Sequence, residues 1–257
     1  MIKEEQKFTN STILEGMTSI SALLKAPSIN QRKIQKVLID EKKRKSKAAQ
    51  IGFLVAKSHE LGFPIEFTDS DTVDALSIGS THGGILALCT ERDLPPLDAS
   101  VIEANGFYVY LDGIEDPYNF GYTLRSLYAA GVSGIVLSER NWMSAAGVVA
   151  RASAGASELL PIFVANGEEA IRTFKATGYT VLCAGIRDSV SIYEKRFSLP
   201  VLLVIGGEKR GISRSLLELA DDTVRIDYGR EFAGSLSAAS AATVMAFEIF
   251  RQNRFQK

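Results

Sequence analysis

The feature that most constrains the fold is a series of short segments that are apolar at every position and alternate with helical patterns. Residues 201–205 (VLLVI) and 107–111 (FYVYL) are examples, and 134–137 (GIVL) is a third. A strand without a polar side suits a parallel sheet whose two faces are both covered by helices. The sequence therefore predicts an α/β fold built on a parallel sheet.

Paired prolines in residues 91–100 (ERDLPPLDAS) divide the chain, because proline lacks a backbone donor and restricts the residue before it. We place a small α/β domain at 1–95 and a larger domain at 104–257. In the first domain the patterns predict a helix containing Ile13, Ile20, Leu23 and Leu24. They then predict strands at 34–40, 64–69 and 84–89 and helices at 46–61 and 70–76. In the second domain further strands are expected at 162–165, 180–184 and 224–227, and the last helix is expected at about 236–251.

The composition is that of a folded protein, with 46% hydrophobic and 23% charged residues. The two cysteines, Cys89 and Cys183, lie in apolar segments and the chain has only two histidines, so no disulfide framework or metal site is expected. No apolar run approaches the ~20 residues that span a bilayer, and the N-terminus lacks a signal-peptide core. We expect a cytoplasmic location without membrane attachment.

A basic run interrupts an otherwise balanced charge distribution. Residues 32–47 hold eight basic and two acidic residues, although the chain has a net charge of −1. Such a run attracts a phosphate backbone, although lysines in a solvated turn that only maintains solubility would give the same pattern. The candidate phosphate contacts are Arg32, Lys33, Lys42, Lys43, Arg44 and Lys45.

Three segments follow strands of the larger domain, at the sheet edge where open α/β proteins bind ligands. The first, 111–131, carries Asn119 and Arg125. An ordinary strand–turn–helix connection, with Asn119 as N-cap and Arg125 paired to an acid, would need the same residue types.

The second segment, 203–213, contains glycines that let backbone amides approach a ligand. Its spacing matches neither a phosphate-binding P-loop nor a dinucleotide fingerprint. Glu208 within it could equally be a surface residue in a salt bridge. The third segment, 224–242, has small residues that allow a helix to pack closely on another backbone, in a threaded chain or a dimer interface.

In this order the segments resemble the three signature motifs of the SpoU/TrmH-type RNA ribose methyltransferases of the SPOUT superfamily. The matching residues are Asp112-x-x-x-Asp116-Pro117-x-Asn119-x-Gly121-x-x-x-Arg125, Gly206-Gly207-Glu208 and Ser235-Leu236. Residues 151–156 are similar to the small-residue stretch between the first two motifs. The N-terminal part, ending at 81–85 (THGGI), resembles the ribosomal-protein-like substrate-binding domain of many members. We interpret His82 as a turn residue whose side chain caps backbone groups by hydrogen bonding. Contact with RNA is the alternative.

The resemblance implies a C-terminal trefoil knot, a homodimer, and methyl transfer from S-adenosylmethionine to a ribose 2′-hydroxyl of RNA, with ribosomal RNA favoured over transfer RNA. It also implies a set of cofactor contacts, namely Ala184, Gly185, Ile205, Gly206, Gly207, Gly211, Ile226 and Leu236.

By the same resemblance the catalytic residues are Asn119, Arg125, Glu208, Ser235 and Ser237. The pKa of a guanidinium is so high that the group stays protonated at neutral pH. We therefore assign Arg125 to clamping the target phosphate and hydroxyl rather than to removing a proton. The chain departs from the family at Ser237, where asparagine is usual, and at Asp227, where proline is common. These departures motivate one alternative, a catalytically weak RNA-binding or ribosome-assembly factor. A second alternative, a small-molecule α/β enzyme that uses Glu208 with a nucleotide cofactor, rests on the generic fold alone.

Overall fold

The computed structural model of the protein describes residues 12–26, 29, 31–138, 145–207 and 211–254. The chain forms two compact units. Unit 1 consists of residues 1–93 and 141–159, and unit 2 of residues 94–140 and 160–257. Two chain segments thus contribute to each unit.

The α-helices are short to medium in length. In chain order they are α1 (Gly16–Lys25), α2 (Ala48–Leu61), α3 (Ser70–Leu76), α4 (Pro117–Ala129), α5 (Ala146–Ala152), α6 (Ala156–Leu159), α7 (Gly167–Ala176), α8 (Arg214–Leu219) and α9 (Ala238–Asn253). The strands are β1 (Ile13–Glu15), β2 (Ile34–Asp40), β3 (Ile65–Thr68), β4 (Ile85–Cys89), β5 (Phe107–Leu111), β6 (Gly134–Leu137), β7 (Ile162–Val164), β8 (Thr180–Ala184), β9 (Val190–Ser191), β10 (Val201–Ile205) and β11 (Asp222–Arg225).

Unit 1 contains a four-stranded mixed sheet in the order β1-β4-β2-β3. Strand β4 runs antiparallel to β1 and β2, whereas β2 and β3 are parallel. The prediction of one helix from Ile13 was wrong at its start. Ile13 pairs with Leu88 in the sheet, and Gly16, at a φ of +71°, turns the chain into α1. A left-handed φ of this kind favours glycine.

The segment 145–159 completes unit 1. Helix α6 packs on α1 and helix α5 packs on β1. Gly155, at a φ of +83°, allows a close approach, because a Cβ there would lie 2.7 Å from the Ala22 Cβ. Glu158 is fully buried and pairs with Arg32 at 3.5 Å and with Arg92 at 3.4 Å.

The expectation that Arg32 contacts a phosphate backbone is therefore wrong. Its side chain is 0% exposed, and its Nε donates to the Thr90 carbonyl as well as facing Glu158. A buried cation needs a paired anion, and Glu158 supplies it within the same unit.

Unit 2 contains a seven-stranded sheet in the order β7-β6-β5-β10-β8-β11-β9, and the pairs are all parallel. The predicted parallel α/β fold is confirmed. The apolar β10 is fully buried and lies between β5 and β8. The paired prolines belong to this sheet, since Val164 N–H donates to the Pro95 carbonyl at 2.9 Å.

Helix α4 follows the loop after the carboxyl end of β5. Asp116 is its N-cap and accepts from Asn119 N–H at 2.8 Å, and Pro117 occupies the first turn. Asn119 is therefore inside the helix rather than its cap. Helix α4 packs against α9. No helix within the described residues is long and apolar enough to cross a membrane.

Candidate active site

A cavity of about 560 Å³ opens at the carboxyl ends of β8, β10 and β11 and beside the first turns of α9. This is the sheet edge where parallel α/β proteins bind ligands. Its lining is mostly apolar or backbone and comprises Ala184, Gly185, Ile186, Arg187, Ile205, Gly206, Gly207, Gly211, Ile212, Leu217, Thr223, Arg225, Ile226, Tyr228, Ser235, Leu236, Ala238, Ala241 and Met245.

The loop after β10 has no room for side chains. A Cβ on Gly206 would lie 2.4 Å from the Gly211 carbonyl carbon. A Cβ on Gly207 would lie 2.6 Å from the Gly113 carbonyl oxygen and 2.8 Å from that of Asp112. Gly211 N–H also donates to the Gly207 carbonyl at 3.0 Å. The loop therefore packs directly on the backbone that follows β5, and its backbone forms part of the cavity wall.

A second wall follows β8. Gly185 N–H donates to the Val224 carbonyl at 2.9 Å, and a Cβ on Gly185 would lie 2.8 Å from the Thr223 Cγ2. The ends of β8 and β11 are thus held together with backbone facing the cavity.

The third wall is the segment between β11 and α9. The Tyr228 hydroxyl accepts from Leu236 N–H at 3.1 Å, and the Tyr228 ring packs on Phe232 with centroids 6.0 Å apart. Ala238 and Met245 of α9 complete this side. Tyr228 therefore fixes the backbone of the predicted contact Leu236.

Asp227, the departure from the family proline, stabilises the end of β11. Hydrogen bonds from the Ser191 hydroxyl and from Arg225 hold the pKa of its carboxyl below the ordinary value. Arg225 Nε lies 2.9 Å from Asp227, and Arg225 Nη1 donates to the Ser189 carbonyl. Together with Arg187, Arg225 also brings positive charge to the cavity.

Ser237, the second departure, is the N-cap of α9. Its hydroxyl accepts from Ser240 N–H at 3.2 Å. Serine is among the best N-cap residues. Ser235 lines the cavity, whereas Ser237 is not among the lining residues.

Two other predicted catalytic residues, Asn119 and Arg125, do not line the cavity. Asn119 is half-buried in the first turn of α4, where its carbonyl accepts from the Thr123 hydroxyl. Arg125 is exposed further along α4, outside the cavity, and its side chain makes no hydrogen bond or ion pair with another described residue. Glu208 lies outside the described residues.

The eight residues expected to contact a cofactor all line this one cavity. Sequence reasoning missed other lining residues, including Arg187, Thr223, Arg225 and Tyr228. Arg225 and Tyr228 were within the third segment but matched no signature position. Thr223 precedes that segment and Arg187 follows β8, and a single sequence gives no signal for either.

The basic run divides into two places in unit 1. Lys42, Lys43, Arg44 and Lys45 are exposed just beyond the carboxyl end of β2, whereas Lys33 precedes its first residue. Arg44 pairs with Glu41 at 2.9 Å and lies over the Phe67 ring at 4.5 Å. Lys33 is therefore separated from the other four by the length of a strand.

Two family models match the chain in succession. The "SpoU rRNA Methylase family" model matches residues 106–247, which fall mostly in unit 2. The "RNA 2'-O ribose methyltransferase substrate binding" model matches residues 13–95.

Relatives resemble the chain over most of its length. A Staphylococcus saprophyticus protein assigned to the TrmH family of tRNA/rRNA methyltransferases is 29% identical over 90% of this chain and 94% of its own. The Shewanella oneidensis "23S rRNA (guanosine-2'-O-)-methyltransferase RlmB" is 29% identical over 78% and 83%. The AdoMet-bound rRNA methyltransferase structure from Sinorhizobium meliloti has a TM-score of 0.78 and 26% identity, and the match covers 96% of this chain and 88% of that one.

Proposed function

Because the chain belongs to the SpoU rRNA methylase family, we propose that it transfers a methyl group from S-adenosylmethionine to a ribose 2′-hydroxyl of RNA. The observation that carries the proposal is the 560 Å³ cavity lined by the eight expected cofactor contacts. Its volume is typical of small-molecule sites. Its backbone walls and apolar residues suit an adenosine, and Arg187 and Arg225 suit a carboxylate.

S-adenosylmethionine supplies an activated methyl group on its sulfonium sulfur. The chain must hold the ribose oxygen in line with the bond that breaks. In this proposal the loop 206–211 and the backbone of Leu236 bind the cofactor, and Ser235 faces the space between cofactor and substrate. Arg125 clamps the target phosphate and hydroxyl, with Asn119 and Glu208 orienting the two. A fixed cation beside the oxygen favours its developing negative charge.

Arg125 does not line the cavity of its own chain. A homodimer would place it at the cavity of the other copy. Tyr118, Tyr122 and Arg125 share one exposed face of α4, and Phe247 and Phe250 are exposed on α9, which packs against α4. Neighbouring exposed aromatic residues mark interaction surfaces. We propose that these helices pair with those of a second copy, so that Arg125 of each chain serves the other.

The two matched regions suggest a division of labour. Residues 1–95 would hold the RNA, and residues 104–257 would form the knotted methyltransferase domain. The relative named for 23S rRNA supports ribosomal RNA over transfer RNA as the substrate. We place the protein in the cytoplasm, where such RNA is made and modified in bacteria.

The test is methyl incorporation from radiolabelled S-adenosylmethionine into purified ribosomal RNA and transfer RNA, with the modified nucleotide mapped. We expect label in ribosomal RNA at one ribose. The absence of label in both RNAs, under conditions where calorimetry detects cofactor binding, would contradict the proposal.

Arg125→Ala should abolish methylation and leave cofactor affinity within about twofold, because Arg125 does not line the cavity of its own chain. Arg172→Ala is the control, since Arg172 is an exposed helical arginine of the same unit. Mixing Arg125→Ala with a Gly207→Ala chain should restore part of the activity if each site uses the arginine of the other copy. Wild-type turnover by Arg125→Ala would exclude the clamp.

Neutralising Lys42, Lys43, Arg44 and Lys45 to glutamine should weaken RNA binding and reduce its dependence on salt. Removing one phosphate contact lowers the slope of log affinity against log salt by ~0.7–0.9. The control replaces Arg172 and Arg214, which are exposed on α7 and α8. An unchanged slope would assign the basic run to solubility alone.

The alternative of a catalytically weak RNA-binding or assembly factor was motivated by Ser237 and Asp227. Each now has a structural role of its own, as helix cap and as partner of Arg225. Normal RNA affinity without cofactor binding would favour that alternative.

A further inference from the structure

Unit 1 contains a second cavity, of about 320 Å³, that methyl transfer does not explain. It lies among the β1–α1 turn, the turn before β4, the start of α2 and the end of α5. Its polar residues include Glu15, Lys47, Gln50 and Arg151. This is a built site rather than a surface depression, because the Glu15 side chain is only 1% exposed.

The cavity holds hydrogen-bond acceptors that lack donors. Glu15 Oε1 accepts from the Ile78 and Gly79 N–H groups, and these bonds fix the carboxylate. Glu15 Oε2 is buried and makes no hydrogen bond with any described residue. Gln50 Oε1 is in the same condition within the described part of the chain. Buried polar atoms are almost always paired, so two such oxygens in one cavity point to a ligand with donors.

The cations around the cavity are fixed by the same turns. Arg151 Nη1 lies 3.8 Å from Glu15 Oε2, which is too long for a hydrogen bond. The Arg151 guanidinium packs directly on Gly79, where a Cβ would lie 1.6 Å from Nη1. Arg151 is therefore held at the wall, with its charge facing the cavity.

His82 belongs to the wall and not to the ligand site. Its Nδ1 accepts from Gly84 N–H at 3.1 Å, and its Nε2 lies 3.1 Å from Asp74 Oδ1. The expectation of a turn histidine that caps backbone is thus confirmed.

The exposed part of the basic run adjoins this cavity. Lys47 lines it, and Lys43 packs on Gly84 of the turn before β4, where a Cβ would lie 2.6 Å from Lys43 Cγ. A phosphate backbone held by Lys42–Lys45 would therefore pass the cavity mouth. Phosphate contacts position an RNA, whereas contacts to base edges select its sequence.

We infer that this cavity binds the base of an unpaired guanine in the RNA substrate, an inference that rests on the proposed function. Glu15 Oε2 and Gln50 Oε1 accept from the guanine N1–H and 2-amino groups. Guanine is the RNA base whose pairing edge carries two adjacent donors, which matches two acceptors without donors. Lys47 and Arg151 supply positive charge for the base carbonyl and the phosphate. Proteins commonly read RNA by taking unpaired bases into such pockets.

The test uses the full chain without cofactor and a set of fluorescent RNA hairpins. They share one stem and a uridine loop whose central nucleotide is guanosine, inosine, adenosine or cytidine. Inosine lacks only the 2-amino group. We expect guanosine to bind roughly tenfold more tightly than inosine, because inosine leaves one acceptor unpaired. Equal affinity for guanosine and inosine would overturn the inference.

Glu15→Gln should remove the preference for guanosine. The amide oxygen can still accept from Ile78 and Gly79, which leaves an N–H group facing the base. Glu60→Gln, an exposed change on α2 of the same unit, is the matched control and should keep the preference. Gln50→Leu tests the second acceptor and should reduce the preference to a few-fold if the variant unfolds at the wild-type temperature. Full preference in both cavity variants would exclude the assignment.

The experiments distinguish failure of the guanine pocket from failure of the proposed methyl transfer. Methylation of RNA without base preference in the hairpins would overturn the guanine pocket alone. Preference for guanosine that depends on Glu15, without any methyl transfer, would support the pocket and contradict the enzyme.

Discussion

At the scale of single residues, the cavity of unit 2 depends on positions where a side chain would collide with backbone. Gly207 lies against the carbonyl oxygens of Asp112 and Gly113, and Gly206 lies against Gly211. Carbonyl oxygens at a turn cannot move as a flexible side chain can. A methyl group on Gly207 would therefore separate the loop after β10 from the loop after β5, and one on Gly206 would displace Gly211 within the loop after β10.

Gly207→Ala should weaken S-adenosylmethionine binding about tenfold or more, equivalent to ~1.4 kcal/mol, because the displaced loop forms the cavity wall. Titration calorimetry measures the affinity. Gly229→Ala is the control, since a Cβ there meets nothing within 4 Å. Unchanged affinity in Gly207→Ala would show that the loop is not part of the cofactor site.

The eight residues that the resemblance implied as cofactor contacts line one cavity, whereas the motif residues Asn119 and Arg125 do not line it. Gly206 and Gly207 directly follow β10, and Leu236 directly precedes the N-cap of α9. The burial of Arg32 could not be predicted from the sequence, because it depends on Glu158, which is remote in sequence. Contacts between distant segments leave no local pattern.

At the scale of elements, the wholly apolar strands were predicted within a residue or two, since such segments have no alternative exposed face. The errors were at the ends of elements and in the short strands β1 and β9, which were not predicted. Strand β11 ends at Arg225 rather than at Asp227, because the side chains of these two residues pair beyond the sheet. Helix α9 begins after Ser237, where the hydroxyl group provides the cap.

Ser237→Ala should destabilise the protein by ~1 kcal/mol, because a helix N-terminus loses its acceptor. This corresponds to a melting temperature lower by ~2–4 °C in a chain of this size. Cofactor affinity should fall a few-fold, since the first turns of α9 line the cavity. Ser237→Asn keeps a cap and should melt near the wild-type temperature. Equal melting of all three proteins would contradict the capping role.

At the scale of the whole molecule, the two units do not coincide with two continuous stretches of sequence. Residues 141–159 follow the first signature motif along the chain and yet complete unit 1. The sequence could indicate the two domain types. It could not indicate that residues 141–159 belong to unit 1, because the small residues of 151–156 suit any close packing.

Glu158→Gln should destabilise the protein by ~3–5 kcal/mol, because it removes the buried carboxylate that faces the guanidinium groups of Arg32 and Arg92. Burial already lowers the pKa of Arg92. Denaturant unfolding gives the difference. The control, Glu168→Gln, removes an exposed partner 4.0 Å from Arg172 and should change stability by less than ~1 kcal/mol. Similar stability of the two variants would contradict the role of the buried cluster.

Glu158 is synthesised after Arg32 and Arg92, and this order affects when unit 1 can finish folding on the ribosome. Unit 1 contains residues 1–93 but needs residues 141–159 for completion. Between Asp93 and Leu159 the ribosome adds roughly 65 residues, which takes ~3–13 s at ~5–20 residues per second. During that interval the nascent N-terminal segment carries Arg32 and Arg92 without their carboxylate. Residues 1–93 thus cannot complete their unit until Glu158 has been made.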